Sequence, residues 1–248
     1  MQQGKRLPTP LESWFWRPIP IVFLSSGSIM VLELIAGRIL APYIGVSIFS
    51  WTSVIGVVLG GISLGNHLGG RLADRWATSH TRGLRLLGAL LTVGGLSSLA
   101  ILAVDVLRTF TYLTGLTLAN APLIAGLGLL VIVLFIVPCT VLGTISPVIV
   151  KLAVRDLSRT GHTIGRIYAA ATLGSLAGTF GSGFYLISRF GTHRVVWGVG
   201  VVLMALGLLL LLSDSRTDKS KRPARWLAVL PALVIVPALS LPLLRPQW

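Results

Sequence analysis

Seven stretches of this chain are each apolar over about the length that crosses a bilayer, and that constrains the fold more than any motif in it. Spanning the hydrocarbon core takes about 20 residues of helix at roughly 1.5 Å each. The stretches fall near Ile19–Leu40, Ile48–Gly70, Leu86–Val104, Leu123–Val150, Ile167–Ile187, Val195–Leu212 and Trp226–Leu244. A closed barrel, the other architecture that satisfies every backbone group in lipid, needs segments of about ten residues with alternating polarity. Runs such as Val199–Leu212 are apolar on every side instead. The expected fold class is therefore all-α: a polytopic transmembrane helical bundle of about seven spans. A chain that is 54% hydrophobic and 11% charged also has too little polar surface to coat a water-soluble globule.

The organisation follows from those spans. Residues 1–18 read as an N-terminal segment, 19–212 as a six-helix transmembrane core, 213–225 as a basic linker, 226–244 as a seventh hydrophobic segment and 245–248 as a tail. Pro231, Pro237 and Pro242 each remove a backbone donor from the seventh segment, which makes it the least regular helix. Lys5 and Arg6 ahead of an apolar run imitate a signal peptide. No small-x-small cleavage site follows and Glu33 interrupts the run, so the first span is expected to be retained.

The formal charge of +14 takes its meaning from where it sits. Of 21 Lys and Arg residues, sixteen fall in the N-terminus and the connections after the second, fourth and sixth spans. Four fall on the opposite side, and Arg38 lies inside the first span. Such a bias places the N-terminus in the cytoplasm of a multi-pass protein in the cell membrane, with seven crossings carrying Trp248 outside. It argues for the lipid bilayer as the partner and against nucleic acid.

Glycine spacing suggests how the helices meet. Gly61, Gly65 and Gly69 recur every four residues, and so do Ala170, Gly174 and Gly178 in the fifth span. Small residues at this interval let two backbones approach closely where no hydrophobic force drives association, so spans two and five are expected to be packing helices. The turns Gly69–Arg75 and Ser188–Arg194 also echo each other on opposite sides of the membrane, as a three-plus-three inverted repeat requires.

Glu33 is the most conspicuous polar residue, about seven residues or roughly 10 Å inside the outer end of the first span. A carboxylate there costs several kcal/mol unless paired or protonated. Arg38, about 140° further round the helix, does not face it. Thr52, Ser53, Thr179 and Ser182 lie at similar depth. Glu33 is then either a proton- or cation-binding group in a polar cavity or a hydrogen-bonded tie between helices. Asn66 and His67 lie toward the inner end of span two, where an imidazole either titrates near neutral pH or packs. Asp74 and Arg75 open the following loop, and Pro138 and Pro147 interrupt the fourth span, where a kink is expected.

Nothing resembles a catalytic centre. No dinucleotide glycine fingerprint, phosphate-binding lysine loop or His-Glu-x-x-His is present. Seven acidic residues, mostly in loops, supply no carboxylate pair, and Cys139 stands alone, which excludes an internal disulfide and a cysteine metal cluster. No metal and no cofactor are expected.

Three runs carry a resemblance. Glu33–Gly45 continued by Trp51–Gly56, Leu64–Arg75, and Gly165–Gly181 with Gly143–Pro147 upstream, closely resemble the membrane domain of fused transporter-like/spermidine synthase-like proteins over about residues 19–212. The resemblance implies that the first six spans are similar to half of a major-facilitator fold. It implies gating roles for Gly70, Asp74 and Arg75, and family-typical positions for Glu33 and Arg38. It also implies a soluble aminopropyltransferase-like domain, whose pocket this chain does not contain. Two readings follow: a non-catalytic membrane domain that anchors or couples to a separate synthase-like domain, or a small-solute transporter for polyamines or other cations, working as a homodimer.

Overall fold

The computed structural model describes residues 18–102, 121–154 and 160–215. The N-terminal segment, the loop around Arg108, Arg155 and Arg159, most of the basic linker and the Pro-rich seventh segment lie outside the described residues.

The described residues form helices and no strands: α1 (Pro18–Ile44), α2 (Ile48–Trp76), α3 (His80–Ala100), α4 (Ala121–Gly143), α5 (Ile145–Ala153), α6 (Thr160–Phe180) and α7 (Ile187–Ser215). A π-helical turn, Gly181–Leu186, joins α6 to α7. Five helices among them are long and apolar enough to cross a membrane. The last of the five, Thr160–Leu212, is 53 residues long. At 1.5 Å per residue that is about 80 Å, more than twice the roughly 30 Å of a hydrocarbon core. Gly191 resolves the excess by leaving the helix at φ 74°, ψ 164°, a conformation that an L side chain rarely adopts.

Local sequence accounts for the other ends. Gly45, at φ 74°, terminates α1, and its carbonyl accepts from the Ser50 hydroxyl at 2.9 Å. Ser47 then caps α2 by accepting the Ser50 backbone N–H at 3.2 Å. Ser79 does the same for α3 through Arg82 N–H at 3.3 Å. Helices overrun the expected spans where charge begins: α2 runs six residues past Gly70, and α3 starts six before Leu86. Arg71, Arg75, Arg82 and Arg85 thus sit on helical turns rather than in loops. The expected kink in span four lies at Thr144, between α4 and α5, whose amide reaches the carbonyls of Thr140 and Val141 at 3.2 Å each. Pro147 falls in the first turn of α5, where a missing N–H is tolerated.

Backbone contacts at the glycines fix the helix directions. Trp51 packs on Gly37 across the α1/α2 turn, which makes those two helices antiparallel. Gly61, Gly65 and Gly69 meet α4 and the residue after it in ascending order, from Ile136 through Thr140 to Thr144, so α2 and α4 are parallel. Gly174 meets Phe23 and Gly178 meets Gly27, so α1 and α6 are parallel. In the third pair Gly88 opposes Gly207 and Gly95 opposes Gly200, which is antiparallel in a single register. Taking α4 with α5 as one unit, six helical segments therefore alternate in direction.

The pairing has a symmetry. Exchanging segments one with four, two with five and three with six maps α1/α6 onto α4/α2 and α3/α7 onto itself, with every direction reversed. This is the relation expected of an inverted repeat about an axis in the membrane plane. Hydroxyls inside the bundle bond their own helices, as Thr92 does to the Gly88 carbonyl (2.8 Å) and Ser98 to the Gly94 carbonyl (2.7 Å). No donor is left facing hydrocarbon at those positions.

Candidate functional site

Helix α2 is organised as three adjacent stripes at four-residue intervals. Gly61, Gly65, Gly69 and Ala73 are buried against α4 and α5. One residue further on, Asn66, Gly70 and Asp74 line a cavity of about 560 Å³. One further again, His67, Arg71 and Arg75 are exposed. Asn66 and His67, adjacent in sequence, are therefore separated by the 100° step of the helix: the amide belongs to the cavity and the imidazole does not.

The same order recurs on α6. Ala170, Gly174 and Gly178 are buried against α1, and Ala171 and Ser175, each one residue on, line the same cavity. The wall also includes Ser26 and Met30 on α1, Ser146 and Pro147 on the α5 start, and Tyr168, with apolar side chains such as Ile62, Leu142 and Val150 between them. Glycine on the packed stripes lets α2 and α6 lie close to their partners. The step of one residue then turns polar side chains into the gap between them.

The cavity runs along the bundle. Its mouth is marked by Asp74 and Lys151, whose carboxylate and ammonium meet at 2.8 Å with both side chains exposed. These groups are 77 positions apart in sequence and tie the end of α2 to the end of α5. Met30 is twelve residues from the start of α1, Ile62 fourteen from the end of α2 and Ser175 fifteen from the start of α6, so the lining reaches about 18–22 Å into the bundle. Arg82, Arg85 and Arg166 belong to helix ends on this same side, whereas Arg189 and Arg194 flank the opposite turn.

Glu33 lies one turn beyond Met30 on the stripe Ser26, Met30, Glu33, Gly37, four positions that fall within about 60° of each other at 100° per residue. It is partly buried, and it stands between the cavity and the Trp51 ring that covers Gly37. Arg38 is exposed on α1 and takes no part. Three of the four hydroxyls named with Glu33 are otherwise engaged. Thr52 donates to the Ile48 carbonyl and Ser53 to the Phe49 carbonyl, each at 2.8 Å. Ser182 is buried and donates to the Gly178 carbonyl at 2.6 Å. Helix-forming sequence places a hydroxyl within reach of the carbonyl four residues back, so depth alone did not gather these groups around the carboxylate.

Among the described residues no group of His, Cys, Asp and Glu could hold a metal ion. Cys139 is buried against Gly61. The cavity, within the roughly 300–1,000 Å³ of small-molecule sites, offers neutral hydrogen-bonding groups, one ion pair at its mouth and one carboxylate beyond its inner end. Compared with family models, curated proteins and solved structures, the chain matches none.

Proposed function

We propose that this chain is a membrane module that binds a small cationic solute in the Asn66–Asp74–Ser175 cavity and hands it toward Glu33, the transporter reading of the sequence. The reading takes six crossings with the basic end in the cytoplasm, which the alternating helix directions and the positive-inside bias support. The cavity then opens to the cytoplasm, and Trp51 lies beyond its inner end, against Gly37. The observation that carries the reading is a cavity with Asn66, Asp74, Ser146 and Ser175 set among apolar side chains, between the helices of an inverted pairing, where secondary carriers hold their substrates. Inverted pairing of three helices with three also supports the likeness to half of a major-facilitator bundle. A cavity so open on one flank is in keeping with a second copy that completes it.

The second reading is a membrane domain that anchors or couples to a synthase-like domain. It is favoured by the Leu64–Arg75 resemblance, whose Asp74 is the residue that pairs with Lys151 at the basic end. Uptake of labelled spermidine by proteoliposomes separates the two. Transport by the native chain that Glu33→Gln abolishes, with the variant still monodisperse in detergent, supports carriage. Absence of uptake by either protein leaves the anchoring role.

A further inference from the structure

A second concavity lies on the opposite face of α1 from Glu33. It is a groove of about 440 Å³ between α1, α6 and α7, and its wall is apolar except at one end. Gly27, Gly174, Gly178 and Gly198 supply its floor, where the absence of side chains makes the hollow. Phe23, Phe190 and Val202 stand exposed along its edges, so it opens sideways toward the surroundings of the bundle. Arg194 is the single charged residue in the lining, and it is exposed just past the Gly191 turn. From Gly174 on α6 to Phe190 beside Arg194 the groove follows sixteen residues, about 24 Å. It begins at the interfacial end and descends toward the middle of the bundle.

We propose that this groove holds one acyl chain of a phospholipid whose phosphate is bound by Arg194. Three observations fix the occupant. A wall of glycine and apolar side chains at hydrocarbon depth excludes a polar solute, because nothing there replaces its hydrogen bonds to water. A volume of 440 Å³ over ~24 Å leaves a cross-section of roughly 18 Å², about a quarter of the roughly 80 Å² filled by a helix 10 Å across. A second protein helix is therefore too wide, and a hydrocarbon chain is not. The guanidinium stands at the interfacial end alone, where a headgroup phosphate lies when its chain points inward, and Arg matches phosphate with paired N–H donors.

Gly198 makes the idea testable without disturbing the bundle. A Cβ added there meets nothing within 4 Å, whereas one at Gly174 or Gly178 runs into the α1 backbone. Gly198→Leu should thus fill the groove and leave the seams closed. Native mass spectrometry of the detergent-purified chain titrated with dioleoylphosphatidylglycerol reads the outcome. The native protein should retain a lipid that Gly198→Leu loses, with Arg194→Gln weakening retention about tenfold. Gly56→Leu, at an open position on α2, should retain it, and all three variants should keep the native melting temperature within a few degrees. Equal retention by Gly198→Leu and the native chain overturns the proposal, because the lipid then sits elsewhere. So does a Gly198→Leu variant that keeps its lipid but falls from dimer to monomer, which would assign the groove to a second copy.

Discussion

Gly69 and Gly70 are neighbours in sequence and opposites in environment. A Cβ on Gly69 would come within 2.7 Å of the Thr144 Cα and carbonyl oxygen, whereas one on Gly70 would meet nothing within 4 Å. The first belongs to the seam between α2 and the α4/α5 junction, and the second to the cavity wall. The difference teaches that one residue type serves two ends here. On the packed stripe glycine allows helices to touch through their backbones, which in lipid replaces the missing hydrophobic drive. On the next stripe it keeps space open.

The contrast is broken or sharpened most severely at Gly65, where an added Cβ collides with the Thr140 carbonyl oxygen. Gly65→Leu should lower stability by about 3 kcal/mol or more, read as a collapse of the melting temperature in detergent. Gly60→Leu, facing open space, should melt like the native chain. The inverted pairing makes a matched claim, since Gly174 meets the Phe23 carbonyl as Gly65 meets that of Thr140. Gly174→Ala and Gly65→Ala should therefore cost similar amounts, about 1–3 kcal/mol each, and a large effect at only one would contradict the symmetry.

At the adjacent pair, Gly69→Ala should destabilise by about 1–3 kcal/mol. Gly70→Ala should be neutral or gain up to about 1 kcal/mol from helix propensity. The smallest effect belongs to the cavity mouth. A double-mutant cycle of Asp74→Asn with Lys151→Met should give a coupling of about 0–1 kcal/mol, because both partners are exposed. A value above about 2 kcal/mol would mean that the pair is buried in the working protein.

Much of this architecture was legible in the chain because membrane folding leaves broad signals. Apolar length marked the five membrane-length helices of the described residues, and a four-residue glycine interval marked two of the seams, since one face of a helix repeats at nearly that spacing. The site was less legible. Asp74 and Lys151 pair across 77 positions through the packing of α2 against α4 and α5, which no local pattern encodes. Asn66 and His67 looked like one polar spot until the helical step divided them. Thr52, Ser53 and Ser182 had the right depth for Glu33, but each donates to its own helix. The turn expected at Ser188–Arg194 was legible, but that it rests on the one backbone conformation of Gly191 was not.

The most direct test of the whole account is labelling of single introduced cysteines by a charged, membrane-impermeant thiol reagent applied from each side of sealed vesicles. Native Cys139, fully buried, provides the unreactive background. Asn66→Cys and Ser175→Cys should react from the arginine-rich side alone, while Leu59→Cys and Leu173→Cys, exposed on the outer surfaces of α2 and α6, should react from neither. Silence at Asn66 and Ser175 from that side, or equal reaction from both sides, would contradict a water-filled cavity that opens at the basic end of a membrane-embedded bundle.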